Sequence, residues 1–422
     1  MKEEFLHYLW KYRLFRQPLI TTEGVHIEVV KAGVHNPDSG PDFFDARLKI
    51  GDTLWAGNVE IHLQSSSWYE HGHHEDNAYN NVILHVVLNH DKPVMRANSL
   101  PVPCLECNDL IPVQLYEKYR ELMGSKLWVP CAGSIRHCPE IVVRSCIEHQ
   151  LIDRLLLRAG QIRTVFENTG NNWEEVFYRM LARSFGLKIN TLPFEMLAAS
   201  LPHNIIIRHQ YQPFQIEALL FGQAGLLEPG FRDDYPRRLK EEYMFLQNKY
   251  SLQPLDASLW KFMRLRPPAF PTIRLAQFAA VMQTTSALFS LVLESDKLDD
   301  IRLVFSKKAG KYWDNHYLFD KPAPVSKEKF LGDQSIDLII INTVIPLLFF
   351  YGDFYKKEEY KMKALSLLEQ LPPENNTIIE KWKSLGIRAE DAFTTQGLLQ
   401  LKQNSCDKKK CLHCRIGSEL LK

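Results

Sequence analysis

Two short strings hold the residues best suited to chemistry: Pro41-Asp42 and Glu60-Ile61-His62. Strand side chains alternate between faces, so Asn58, Glu60 and His62 project from one side, and a hairpin brings Asp42 beside them. Two carboxylates converging on one spot suit Mg²⁺ or Mn²⁺, hard ions that take oxygen ligands and leave room for substrate phosphate. Such an ion polarises a phosphodiester and activates water, with His62 orienting that water or acting as base.

A second group follows in His71-Gly72-His73-His74-Glu75-Asp76, with His85 beyond it. Two imidazoles, His71 and His73 foremost, and a carboxylate would hold Zn²⁺, Fe²⁺ or Mn²⁺. With Glu60 and His62 nearby, this leaves a metal hydrolase or a cupin-like oxygenase as a further reading. His85, inside an apolar run, is expected in the core. The third group is Cys406-x4-Cys411-x2-Cys414, one thiol short of a four-ligand set. Cys131, Cys138 or the Cys104-x2-Cys107 pair could complete it around Zn²⁺ or an iron–sulfur cluster. The tail 401–422 carries six Lys or Arg against two acids. It buries too little apolar surface to order itself, whereas thiolates on a metal would staple it down. Finally, Arg264, Arg266 and Arg274 interleave with Trp260, Phe262 and Phe270, as in a surface that grips a nucleic-acid backbone. The same arginines, at a proline-broken helix junction, would equally cap carbonyls.

The elements that must position these residues follow from the apolar pattern. Residues 3–15 have helical spacing, Val25–Val30 reads as a strand, and HNPDSGPD is a turn. Phe43–Ile50 and Leu54–Leu63 alternate as two strands joined at Gly51-Asp52, 67–80 reads as a helix, and Asn81–Leu88 as a buried strand. From about Pro139 onward the apolar residues recur at steps of three and four, as in Ile273–Leu293. The expected fold is α+β: an α-β-β-β-α-β head (1–91), a Pro- and Cys-rich connector (92–138), a large helical domain (139–400) and a cysteine-containing tail (401–422).

In this element order, with Pro41-Asp42 heading the second strand and Glu60-x-His62 in the third, residues 3–90 resemble the core of the PD-(D/E)XK nuclease superfamily. The resemblance implies Asp42 and Glu60 as the metal carboxylates, Glu3 or Glu4 as an accessory acid, and nucleic acid as the substrate. His62 stands where that superfamily has lysine. The implied activity is thus either an Mg²⁺- or Mn²⁺-dependent nuclease or a catalytically inactive module that binds nucleic acid or protein. Phrases such as HNPDSGPDFFDARL, GNVEIHLQSSSWYEHGHHEDNAYNNVILHVV and CLHCRIGSELL also resemble an uncharacterised bacterial family of unknown function.

Composition bounds these readings. The chain has 422 residues, 45% hydrophobic and 24% charged, which excludes collagenous and largely disordered classes. A net charge of +1 provides no global basic field, so a polyanion would need a local patch. The most apolar stretch, Leu338–Tyr351, is 14 residues interrupted by Asn342, Thr343 and Pro346. A membrane span needs about 20, so this is expected as a buried helix and no membrane partner follows. The N-terminus lacks the order of a secretory signal, and eight cysteines fit thiols and metal ligands in a reducing compartment, so the expected location is the cytoplasm. Nothing in the pattern sets an oligomeric state.

Overall fold

Phe5, Leu6, Leu9 and Trp10 fall on one face of helix α1 (Glu3–Lys11), and Glu3 and Glu4 in its first turn complement the helix dipole. The computed structural model describes residues 1–228 and 230–422. It divides into two units, Met1–Cys146 with Leu401–Lys422, and Ile147–Gln400.

The first unit is built on a seven-stranded mixed sheet. Its strands are β1 (Leu19–Ile20), β2 (His26–Lys31), β3 (Val34–His35), β4 (Phe43–Ile50), β5 (Thr53–Gln64), β6 (Val82–Asn89) and β7 (Cys104–Glu106). The order is β1-β2-β4-β5-β6-β7, with β3 on the β4 edge. β4 and β5 form the expected hairpin, with Ile50 opposite Thr53 and Gly51 at φ 58°, a value glycine takes without strain. β5 and β6 then run parallel, placing Glu60 beside His85. α1 packs on β5. Strands β1, β3 and β7 are additions to the sequence reading, because two or three residues are too few to show an alternation.

The expected helix over 67–80 is a correction. Only Ser67–Glu70 (α2) and a short 3₁₀ turn, Asn77–Tyr79, are helical. The chain leaves α2 through Gly72 at φ 74°, with Gly72 N–H donating to Tyr69 O (3.1 Å) and His73 N–H to Trp68 O (3.0 Å). These two bonds make a Schellman ending, completed by His73 packing edge-on against Trp68 at 5.3 Å. His71 is thereby left exposed and His73 is carried into the interior.

The second unit is helical around one apolar core that includes Phe177, Leu181, Phe221, Phe278 and Leu347. Gly222 lies under the ring of Tyr243, where an added Cβ would come within 2.0 Å of the ring. Ile273–Leu293 is two helices, Pro271–Met282 and Leu288–Glu294, and not one. The threonine- and serine-rich link between them turns, with the Thr285 hydroxyl accepting from Ala287 N–H (3.2 Å). The helical stretch Asp333–Tyr355 is long and apolar enough to cross a membrane but is mostly buried, as expected of a core helix. Within it, residues 340–344 form a wide π turn. Pro346 lacks an N–H for the carbonyl four residues earlier and its ring crowds that carbonyl, which accounts for the widening.

Candidate metal centre

Asp42 is set by the turn before β4. Asn36 braces that turn, its side-chain amide donating to the carbonyls of Asp38, Ser39 and Pro41 at 3.1–3.2 Å, and its N–H donating to Asp42 O at 2.7 Å. Asp42 and the β5 strand then clasp each other. Asp42 N–H donates to Glu60 Oε2 (3.0 Å), and Ile61 N–H donates to Asp42 Oδ2 (2.9 Å). Asp42 and Glu60 are therefore neighbours, as strand alternation and the hairpin require.

From α1, His7 Nε2 comes within 3.3 Å of Asp42 Oδ2 and 3.9 Å of Glu3 Oε1. Burial alone would depress the His7 pKa, but the adjacent Asp42 carboxylate outweighs it and holds His7 above its ordinary value. Of the two acids the nuclease resemblance offers, Glu3 stands at this site. Glu4 instead accepts from His413 Nε2 at 2.9 Å.

The remaining Glu60 oxygen faces imidazoles. Glu60 Oε1 is 3.2 Å from His73 Nε2 and 3.5 Å from His62 Nε2, while His62 Nε2 is 3.1 Å from His71 Nδ1. His62, His71 and His73 each offer a ligand atom, and these atoms lie within 4.8 Å of one another. Glu60, His62 and His73 are buried, and His71 is exposed at the edge. Burial raises the Glu60 carboxyl pKa against the opposing pull of His73. It pushes His62 down to about 2 and His85 down to about 3, so both rings are neutral at pH 7 and keep a lone pair. His62 Nδ1 lies 2.9 Å from His85 Nε2. A metal at His62 Nε2 requires Nδ1–H to point to His85, which makes His85 the orienting partner that metal-binding histidines commonly have. His73 is fixed by stacking on Tyr79 with ring centroids 3.7 Å apart.

Three residues at or beside this site went unassigned in the sequence reading, His7, Trp68 and Tyr79, while His85, expected in the core, is buried there and also meets His62. His7 had a signal, since it lies one helical turn from Glu3. His74, in contrast, pairs with Glu75 at 3.4 Å and packs on the Tyr69 ring.

The cysteine tail belongs to the first unit. Lys409 Nζ donates to Met123 O (2.8 Å) and Ser125 O (3.0 Å), Lys402 pairs with Asp407 and sits over the Trp128 ring, and Arg415 bonds the Ser145 hydroxyl. Cys131, Cys406, Cys411 and Cys414 each lie within reach of the charge of the other three. Burial and these neighbours push Cys131 up to about 12 and Cys411 to about 11. Cys414, 3.7 Å from the Cys146 sulfur, is drawn down to about 7 by that thiol and by the N–H groups of Gly417 and Ile416. The charged neighbours of Cys104 and Cys107 are Glu106 and each other, so that pair stands apart from the tail.

The arginines of the second unit do not act as one group. Arg264 and Arg266 are exposed, whereas Arg274 is partly buried, donating to Gln277 Oε1 (3.2 Å) and Ser335 Oγ (3.1 Å).

No curated protein and no solved structure matches the chain. A family model described as protein of unknown function (DUF2851) matches residues 3–377, and the chain belongs to that family.

Proposed function

We propose that this chain is a metal-dependent phosphodiesterase acting on nucleic acid, with its metal held by Glu60, His62, His71 and His73. The observation that carries the reading is the convergence of three imidazoles, with ligand atoms within 4.8 Å of one another, two of which, His73 and His62, also stand 3.2 and 3.5 Å from a buried Glu60 oxygen. Three nitrogen donors and one oxygen suit Mn²⁺, Fe²⁺ or Zn²⁺ better than Mg²⁺, which favours oxygen ligands alone. When bound, such an ion would polarise a phosphodiester and lower the pKa of a coordinated water. The Asp42/Glu60 clasp supports the nuclease-like reading over an oxygenase.

The protein's own groups divide the remaining work. Asp42, tied to the Ile61 N–H, fixes β4 against the ligand strand, and His7 Nε2 stands 3.3 Å from the same Asp42 oxygen. Glu3, with its carboxyl pKa raised by burial, stands behind His7 as a proton acceptor or donor. Exposed Arg264 and Arg266 are a candidate nucleic-acid contact of the second unit by itself. Free thiols and metal ligands suit a cytoplasmic protein.

The tail is read as a second, structural centre with Cys131, Cys406, Cys411 and Cys414 as ligands. One zinc holds its sulfurs about 4 Å apart, given Zn–S near 2.3 Å. Zinc or an iron–sulfur cluster is the group such a thiolate set would hold.

Purified protein is assayed on single- and double-stranded DNA and RNA with Mn²⁺, Zn²⁺ and Mg²⁺. Cleavage that requires the transition metal and vanishes in Glu60→Gln supports the enzyme. Nucleic-acid binding without cleavage, equal in Glu60→Gln, would support the inactive module instead.

A further inference from the structure

Within the second unit lies a cleft of about 570 Å³ whose lining includes Arg158, Arg183 and Lys188 but no acidic residue. That volume is the size of a small-molecule site. Arg158 is half-buried, and desolvation pulls its guanidinium down to about 9. Nη2 donates to Asn342 Oδ1 (2.8 Å) and Nη1 to Ile341 O (3.3 Å). These are neutral acceptors, and they take two of the five N–H donors a guanidinium carries. Arg154, one turn earlier on the same helix, is bonded by Gln396 and Gln400, and the charge of Glu374 bears on both arginines.

The partner of Arg158 is also unusual. Asn342 sits in the wide turn before Pro346, and its side-chain N–H donates back to Leu338 O (2.8 Å), which aims its oxygen at the guanidinium. Turns of this kind are frequent where a helix serves a ligand. On the facing helix, Ser184 Oγ lies 2.6 Å from Thr343 Oγ1, adding hydroxyls at the same depth. Ile162, Val165, Met180 and Leu338 form an apolar wall. Arg183, paired at 3.5 Å with Glu195 in a half-exposed bridge, and Lys188 stand at the mouth.

We propose that this cleft binds a nucleoside monophosphate, with the phosphate on Arg158, Arg183 and Lys188 and the nucleoside against the apolar wall. Arginine matches a phosphate with two parallel hydrogen bonds, and Asn342 and Ile341 leave Arg158 the donors to make them. The site is independent of the metal centre in the first unit.

The test is calorimetric titration of the full chain in EDTA with adenosine 5′-monophosphate, adenosine and inorganic phosphate. The monophosphate is expected to bind, inorganic phosphate at least tenfold more weakly, and adenosine not detectably. Arg158→Gln is expected to weaken the monophosphate roughly ten- to hundredfold, the factor for hydrogen bonds to a charged group. Should that variant unfold, Arg183→Ala with Lys188→Ala at the exposed mouth decides, with an expected loss of about tenfold. Glu60→Gln must leave the affinity unchanged, so failure here and failure of the phosphodiesterase reading are separable. No binding of the monophosphate at millimolar concentration, adenosine or free phosphate binding as tightly, or an affinity indifferent to the cleft variants would overturn the proposal.

Discussion

Both units bury ionisable groups, and they do so in opposite ways. In the first, His62 and His85 are neutral bases locked ring to ring on adjacent parallel strands, with lone pairs kept by burial. In the second, Arg158 remains a cation among neutral acceptors, and Glu217, against the Tyr235 hydroxyl, is held up near pH 7 as an acid by burial. A sheet fixes side chains of neighbouring strands within ligand distance of one another, so it can concentrate donors at a point. Helices meet at wider intervals and leave a cleft lined by longer side chains.

The largest expected separation between the units is their response to acid. A histidine whose folded pKa lies below its unfolded 6.5 binds its proton more readily when unfolded. The stability it contributes is full above pH 6.5 and is lost as pH falls toward about 3 for His85 and about 2 for His62. For both together the loss between pH 6.5 and 5 is roughly 3 kcal/mol in metal-free protein. Glu217 has the opposite sign: its folded pKa, about 7, lies above the unfolded 4.5. Its contribution is therefore full below pH 4.5 and lost as pH rises through 7, which gives the second unit roughly 2 kcal/mol between pH 8 and 5. Hydrogen exchange read by mass spectrometry should show the first unit opening first at pH 5. Uniform protection across both units at that pH would erase the contrast.

Next in size, Glu60→Gln should reduce metal-dependent cleavage at least a hundredfold, about 2.7 kcal/mol, while leaving the second unit's exchange unchanged. Gly72→Ala should cost about 1 kcal/mol, because alanine is strained at φ 74°, and it should loosen His73. Metal affinity measured by titration would drop in this variant without loss of the sheet. An unchanged affinity would detach the Schellman ending from the site. The smallest effect belongs to the exposed arginines. Arg264→Ala or Arg266→Ala should each weaken nucleic-acid binding less than tenfold and flatten its salt dependence by about one unit of slope.

The two units were also unequally legible from sequence. Asp42, Glu60 and His62 could be placed together because the alternation of β4 and β5 and the two-residue turn at Gly51-Asp52 fix the register. His73 could be named but not aimed, since its burial depends on Gly72 ending α2 after a single turn. The 3.6-residue period revealed most helices of the second unit, but it says nothing of which faces leave a gap. Arg158 lies in a long run of ordinary helical spacing, and its partner Asn342 sits in a wide turn 184 residues away in sequence. That turn had one visible cause, Pro346, whose effect on a neighbouring helix no local pattern carries.

Cobalt substitution tests the central claim most directly. Full-length protein stripped with chelator is titrated with Co²⁺, and its visible absorption is compared among wild type, His73→Ala and Cys131→Ser. One equivalent of Co²⁺ with the ligand-field bands of nitrogen and oxygen ligation is expected in wild type and Cys131→Ser, and is lost in folded His73→Ala. The same bands in all three proteins, or none in the folded wild type, would contradict a metal centre at Glu60, His62, His71 and His73.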